Sequence, residues 1–264
     1  MEPRHSGAWA QEVLALARRW FILLMRDRLN LVFSLAQPAL WLVFFGTAVG
    51  RAVNPATIGT SNYFRFSVSG IIAFTVVMNA VYGAMPMLWD KETGYLDKLL
   101  SMPIARSSLI VSRFLFQFAL GSAQVIVVFA VGLVMGGGLA AGPLGALAIL
   151  AVAGLLSMAF TAVFMALAFR VPTHGTFFAV TGFVTLPLVF MSNAFVPITA
   201  MPGWMALLAR LNPLTYAIEA MRVLTLDGWR TEVASSLGVL ALFATIFLAL
   251  GTHEFRRHTG QRVN

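Results

Sequence analysis

Six stretches along the chain are long and almost uninterruptedly apolar: 29–50, 66–87, 109–135, 144–169, 177–196 and 233–250. Each falls within or beyond the roughly 17–25 residues that a helix rising about 1.5 Å per residue needs to cross a hydrocarbon layer of about 30 Å. Their apolar positions run on continuously rather than alternating, which predicts spanning helices and not barrel strands. Loop signals separate them at Asn54-Pro55, at Gly136-Gly137-Gly138 with Gly142-Pro143, and at Pro172.

The polar intervals carry patterns of their own. In "DKETGYLDKLLSMPIARSS", residues 90–108, Leu96, Leu99 and Leu100 form a short apolar stripe, and Asp90, Lys91, Glu92, Asp97 and Lys98 occupy the remaining surface. This predicts a helix of about a dozen residues, ended by Pro103, lying along the membrane with a charged face towards the cytosol. Such a face is a handle for a soluble partner; an ordinary polar loop that satisfies topology fits the same residues. Ahead of the first run, Trp9, Val13, Leu16, Trp20, Leu23 and Leu24 recur at steps of three and four with arginines between, the pattern of an amphipathic helix in the cytoplasmic interface. Arg18 and Arg19 break any apolar core of a signal peptide there. Between the last two runs, Trp204, Leu207 and Leu208 share one face of a short helix. Asn212 and Pro213 then read as N-cap and first residue of a second one, with Leu214, Ala217, Ile218, Met221 and Leu224 at helical spacing. Both are too short to span, and are expected to dip into the outer leaflet or to pack on the mouth of the bundle.

Composition agrees with a membrane protein: of 264 residues, 59% are hydrophobic and 11% charged, less than half the share of about 25% usual in soluble domains. There is no cysteine, hence neither a disulfide nor a thiolate metal site. The net charge of +8 could suggest nucleic acid, but its distribution is topological. With the N-terminus inside, thirteen of the 18 basic residues fall on the cytoplasmic side, and only Arg51, Arg65, Arg210, Arg222 and Arg230 fall outside. The positive-inside rule therefore puts both termini in the cytoplasm of a multi-pass protein of the cell membrane, and excludes a nucleic-acid partner.

Several chemistries fail on spacing. "HEFRRH" sets His253 and His258 five apart, about 140° round a helix, whereas the zinc protease motif needs four. The serines of "FSVSG" at 66–70 have no histidine on a facing span, since His174 falls in a short loop on the opposite side. No GxxxxGK[ST] phosphate loop occurs. Ion-coupled carriers place ionisable residues inside the bilayer; here all ten acidic residues lie outside the six runs. Arg113 is the only charge within one, in a first turn from which its guanidinium is expected to snorkel to water. What the runs do hold is Gln37, Asn79, Gln117, Gln124 and Asn193, available either for helix–helix hydrogen bonds or as polar points on the wall of a path for amphiphiles. Thr75 and Phe190 are placed on that candidate path with Asn79 and Asn193.

"ETGYLDKLLSMPIARSSLIVSR" resembles the cytoplasmic loop between the second and third spans of ABC-2 type exporter permeases, with Glu92, Gly94, Leu96, Leu99 and Pro103 on the family's pattern. "NAFVPITAMPGWMALLARLNPLTYAIEAMR" resembles the region before their last span, where Asn212, Pro213, Leu214, Thr215 and Tyr216 match the best-known motif. The run "FVP…MPGW…NPLTY" is most similar to the daunorubicin-resistance type. The resemblance implies an all-α, six-span permease: a cytoplasmic segment 1–28, a transmembrane domain 29–252 and a cytoplasmic tail 253–264. It further implies a dimer of identical or related protomers, with two copies of a separate ATP-binding subunit that bind ATP and Mg, while this chain holds no cofactor and no catalytic site. Glu92, Gly94, Leu96, Leu99 and Pro103 would contact that subunit, with Arg18, Arg19 and Trp20 of the interfacial helix. Drugs, lipids or glycolipids would be the cargo. Polysaccharide export is the neighbouring reading, and a stand-alone channel or secondary carrier the alternative of another class.

Overall fold

The computed structural model describes residues 6–50, 58, 60, 62–102 and 105–260. Asn54-Pro55, Arg51 and Pro103 lie outside the described residues. Every regular element among those described is helical: α1 (Ser6–Arg26), α2 (Arg28–Ala48), α3 (Tyr63–Glu92), α4 (Tyr95–Ser101), α5 (Arg106–Val134), α6 (Gly142–Arg170), α7 (His174–Phe190), a 3₁₀ turn (Ile198–Ala200), α8 (Gly203–Leu211), α9 (Pro213–Leu226) and α10 (Thr231–Gly260). Five are long and apolar enough to cross a membrane: α2, α3, α5, α6 and α10. The fifth apolar run is shorter than its composition suggested. Helix α7 stops at Phe190 after 17 residues, and 191–196 form turns instead. Pro187 in its last turn leaves the carbonyl of Phe183 without its helical donor, which weakens the end of the helix.

Helix α3 is the axis of the bundle. It is buried on nearly all sides between Phe66 and Leu88 and packs against α2, α5, α6, α7 and α9, as an all-round apolar helix must. Helix α9 was expected at the mouth or in the outer leaflet. Instead its stripe Leu214, Ala217, Ile218, Met221 and Leu224 is fully buried in the main core against α3, α6 and α10. By contrast α8 exposes Trp204, Leu207 and Leu208.

Polar side chains fasten the helix ends. At one end, Lys91 Nζ donates to the carbonyls of Phe169 (2.8 Å) and Val171 (3.0 Å), capping α6. At the other, Asn62 caps α3 by accepting from Phe64 N (2.9 Å) and donates to Gly136 O (3.2 Å) beyond α5. Helix α1 packs only part of its apolar stripe on protein: Val13 is buried, as is Ala17 one turn on, while Trp9 and Leu23 stay exposed, and Phe21 meets Phe116 of α5 edge to face at 5.1 Å. Glu12 Oε2 accepts from Ala105 N (2.9 Å) and Ser108 Oγ (2.7 Å), so a carboxylate borrowed from α1 caps the start of α5, where the helix dipole favours it. Glu12→Ala is expected to cost about 1 kcal/mol and to speed amide exchange over 6–26; unchanged protection of that segment would show that the cap does not hold α1 down.

The polar interval after α3 differs from the expected single helix. Helix α3 runs unbroken to Glu92, carrying Asp90, Lys91 and Glu92 on the end of the second apolar run. Gly94 then takes a left-handed conformation, φ 72°, which glycine adopts without a Cβ penalty, and α4 follows with seven residues.

Candidate functional site

A cavity of about 600 Å³ lies among α1, α2, α3 and α5. Its α3 wall runs from Phe74 to Asp90, about 24 Å of helix, and the cavity falls in the size range of small-molecule sites. Aromatic rings dominate one end: Trp41 of α2 meets Phe74 edge-on at 5.9 Å. The rings continue beyond the cavity, from Trp41 to Phe45 (5.6 Å) and from Phe45 to Phe195 (4.3 Å, stacked).

The middle of the wall is a hydrogen-bonded ladder between three helices. Pro38 has no N–H, so the carbonyl of Ser34, four residues earlier, loses its donor within α2. Gln124 Nε2 of α5 supplies one at 2.8 Å. Gln124 Oε1 in turn accepts from Asn79 Nδ2 of α3, and Asn79 O accepts from Gln117 Nε2 at 2.6 Å. Four residues on, the carbonyl of Gly83 takes both Nε (2.8 Å) and Nη2 of Arg113. Residues 113, 117 and 124 fall on one face of α5, four and seven apart, which is why one helix can serve the whole row. Thr75 and Asn79 both line the cavity; Thr75 donates to Ile71 O at 2.7 Å.

The floor is charged. Arg113 does not snorkel: it is 4% exposed, because α1 lies across it. Its guanidinium sits 4.0 Å from the ring centroid of Trp20. Arg19 stacks on Trp20 (4.6 Å) and on Tyr95 of α4 (4.5 Å), and pairs with Asp90 at 3.4 Å. Two cations thus share one indole, with attraction to its face offsetting part of the cost of burying them. Leu16, Met87 and Leu109, with Leu96 and Leu99 of α4, line a gap of only about 20 Å³ against this cluster.

The residues expected to meet a partner divide. Leu96 and Leu99 are buried and pack within this chain. Glu92, Asp97, Lys98 and Arg18 are exposed. Glu92 also pairs with His174 Nδ1 at 2.7 Å, whose ring lies 5.5 Å from Trp89. His174 belongs to the start of α7, and its pairing with Glu92 was not legible in the sequence because it joins segments 82 residues apart.

Phe190 and Asn193 lie away from the cavity lining. Phe190 is 52% exposed at the end of α7, 5.7 Å from the ring of Phe195. Asn193 is buried in the following turn, where Arg222 Nη2 donates to its carbonyl at 2.7 Å and the Arg222 guanidinium covers Phe66 at 3.7 Å. The Asn212–Tyr216 motif is a joint. Asn212 accepts from Leu214 N (3.0 Å) and donates to Leu188 O (2.6 Å), Pro213 starts α9, Leu214 and Thr215 are buried, and Tyr216 OH donates to Arg210 O at 2.7 Å.

Known proteins are similar in sequence over most of the chain. The sequence profile of the ABC-2 type transporter family matches residues 11–226. The chain is 40% identical over 217 residues to a ycf38 transport permease of Porphyra purpurea, covering 80% of this chain and 73% of the relative. It is 26% identical over 226 residues to a daunorubicin resistance ABC transporter permease of Streptomyces coeruleorubidus, covering 84% and 79%. Nodulation protein J of Rhizobium leguminosarum bv. trifolii is 25% identical over 253 residues, 92% of both chains. From the α1 stripe to the end of α9, the matched region takes in the cavity, its charged floor and the Asn212 joint, and the chain belongs to the ABC-2 type transporter family.

Proposed function

We propose that this chain is the membrane-spanning permease subunit of an exporter powered by ATP hydrolysis in a separate subunit, and that it moves hydrophobic or amphiphilic molecules out of the cytoplasm or inner leaflet. The observation that carries the reading is the contiguity of the cavity floor with α4: Arg19 touches Asp90, Trp20 and Tyr95, so one guanidinium bridges the cavity lining and the short cytosolic helix. A push on α4 reaches the floor through packed groups rather than through solvent. On this reading Glu92, Gly94, Asp97 and Lys98, with Arg18, face two ATP-binding subunits that carry the ATP and Mg, and the exposed sides of α2 and α7 border a second permease protomer and lipid. Helix α7, about 26 Å at 1.5 Å per residue, makes a sixth crossing and returns both termini to the cytoplasm.

The test is reconstitution. The purified chain alone is expected to give no flux of an amphiphilic dye under an ion gradient, and to give ATP-dependent flux once its ATP-binding partner is added. Gradient-driven flux by the chain alone would establish a carrier or channel instead. Glu92→Lys should lower co-purification with the ATPase several-fold without loss of membrane insertion; unaltered recovery of the complex would remove Glu92 from the contact.

A further inference from the structure

The charges at the cavity floor do not balance. Arg113 is almost wholly buried, and its guanidinium is met by a backbone carbonyl and an indole face, neither of which carries a negative charge. Arg19 is half-buried beside it, and its Nη1 is shielded from solvent with no hydrogen-bond acceptor among the described residues. Among the described residues the one carboxylate enclosed with them is Asp90, which pairs with Arg19 and attracts Arg113 without a direct contact. Asp27 also borders the cavity, but it is exposed at the rim and accepts from Asn30 N at 3.1 Å as the cap of α2, where water screens its charge. Two cations therefore face one anion in a site whose walls are rings, aliphatic side chains and neutral polar groups, and an unneutralised buried charge is costly unless something pairs with it. Above the floor, Phe33 and Leu23 border the same cavity and are themselves exposed, so an apolar tail leaving the cavity there meets a greasy edge.

We infer that the cavity is a site for an anionic amphiphile, whose phosphate- or sulfate-type headgroup docks between Arg19 and Arg113 and whose hydrocarbon part lies along Trp41, Phe74 and Met78. This rests on the permease reading and narrows its cargo. A neutral or cationic molecule would leave the two guanidiniums sharing Asp90 as their counter-charge, whereas an anionic oxygen supplies Arg19 Nη1 with its missing acceptor through a charge-assisted hydrogen bond. The headgroup would also touch Trp20, and through it the contact with α4 that couples the site to the cytosolic side.

The proposal is tested on the full chain purified in a neutral maltoside detergent, with no ATP-binding subunit present, so that the result is independent of whether transport needs ATP. Native mass spectrometry would titrate dodecyl phosphate against dodecylphosphocholine, which has the same tail, and against inorganic phosphate, with phosphatidylglycerol as the bilayer source of the same chemistry. Dodecyl phosphate and phosphatidylglycerol are expected to bind at least tenfold more tightly than dodecylphosphocholine, and inorganic phosphate not to compete. Arg19→Gln and Arg113→Gln should each weaken dodecyl phosphate about tenfold, while Arg113→Lys, which keeps the charge, should retain most of the affinity. If Arg113→Gln fails to fold, Arg19→Gln decides alone, because that side chain is only half-buried. Equal binding of the two dodecyl compounds, or wild-type affinity in Arg19→Gln, overturns the headgroup assignment; competition by inorganic phosphate at equal concentration overturns the amphiphile.

Discussion

Gly70→Leu is expected to abolish recovery of monodisperse protein, while Gly182→Leu is expected to leave yield and thermal unfolding in detergent unchanged. At position 70, α3 passes against main chain rather than side chain. A Cβ there would fall on the carbonyl oxygen of Ala194, and within 2.8 and 2.9 Å of its carbonyl carbon and Cα. That turn cannot swing aside, because Arg222 holds Asn193 O at 2.7 Å and Tyr63 OH holds Phe195 O at 3.0 Å. A flexible neighbour would yield; a doubly anchored backbone must be displaced whole. The cost is expected at or above the upper end of the about 1–3 kcal/mol typical of overpacking, since close approach of small residues is the main source of helix association in lipid. Gly182 lies on the exposed side of α7, and a Cβ there meets nothing within 4 Å. If Gly70→Leu unfolds at the temperature of Gly182→Leu, the close crossing of α3 and the 191–195 turn is absent.

The second large effect concerns a carbonyl that a proline leaves bare. Gln124→Leu is expected to cost on the order of 2 kcal/mol, because it strips Ser34 O of its donor and Asn79 Nδ2 of its acceptor inside the bundle. The two losses can be separated. In a Pro38→Ala background the new N–H at position 38 returns to Ser34 O within α2, so that only the Asn79 group is stranded by Gln124→Leu. The same substitution should then cost about 1 kcal/mol less, a coupling between sites on different helices that a double-mutant cycle in thermal or denaturant unfolding would measure. Additive costs would mean that Ser34 O does not depend on Gln124. Because both partners border the cavity, the cycle also shows whether the polar rungs of the wall are there to hold α2 and α5 together.

Much of this was legible in advance, for a definite reason. Spanning helices announce themselves through composition over about 20 residues, and five of the six apolar runs are helices of the necessary length, each within a few residues of its expected start. The Asn212–Pro213 boundary was legible because a cap is a local hydrogen bond, made between neighbours in sequence. The shorter α7 could be suspected from Pro187 alone. Arg113 could not be placed: whether a charge at the end of an apolar run reaches water depends on what lies over it, and here that is Trp20, 93 positions earlier. The partners of Glu92 and Gln124 were hidden in the same way, although a glutamine opposite a proline in a membrane helix is a signal that could be searched for.

By itself, then, the sequence determined the class of molecule, the extent of five of its six apolar helices, and two motifs through which a family likeness could be stated. These rest on short-range quantities: hydrophobicity summed along one segment, a turn residue, a cap. Tertiary structure alone decided that α9 is core, that α1 roofs a buried arginine, and that α1, α2, α3 and α5 part to leave a cavity with two guanidiniums at its base. Lipid tails are as apolar as leucine, so hydropathy tells a helix to enter the membrane but not which neighbour to choose; that choice falls to close-packed glycines and to hydrogen bonds across helices, whose partners are far apart in the chain.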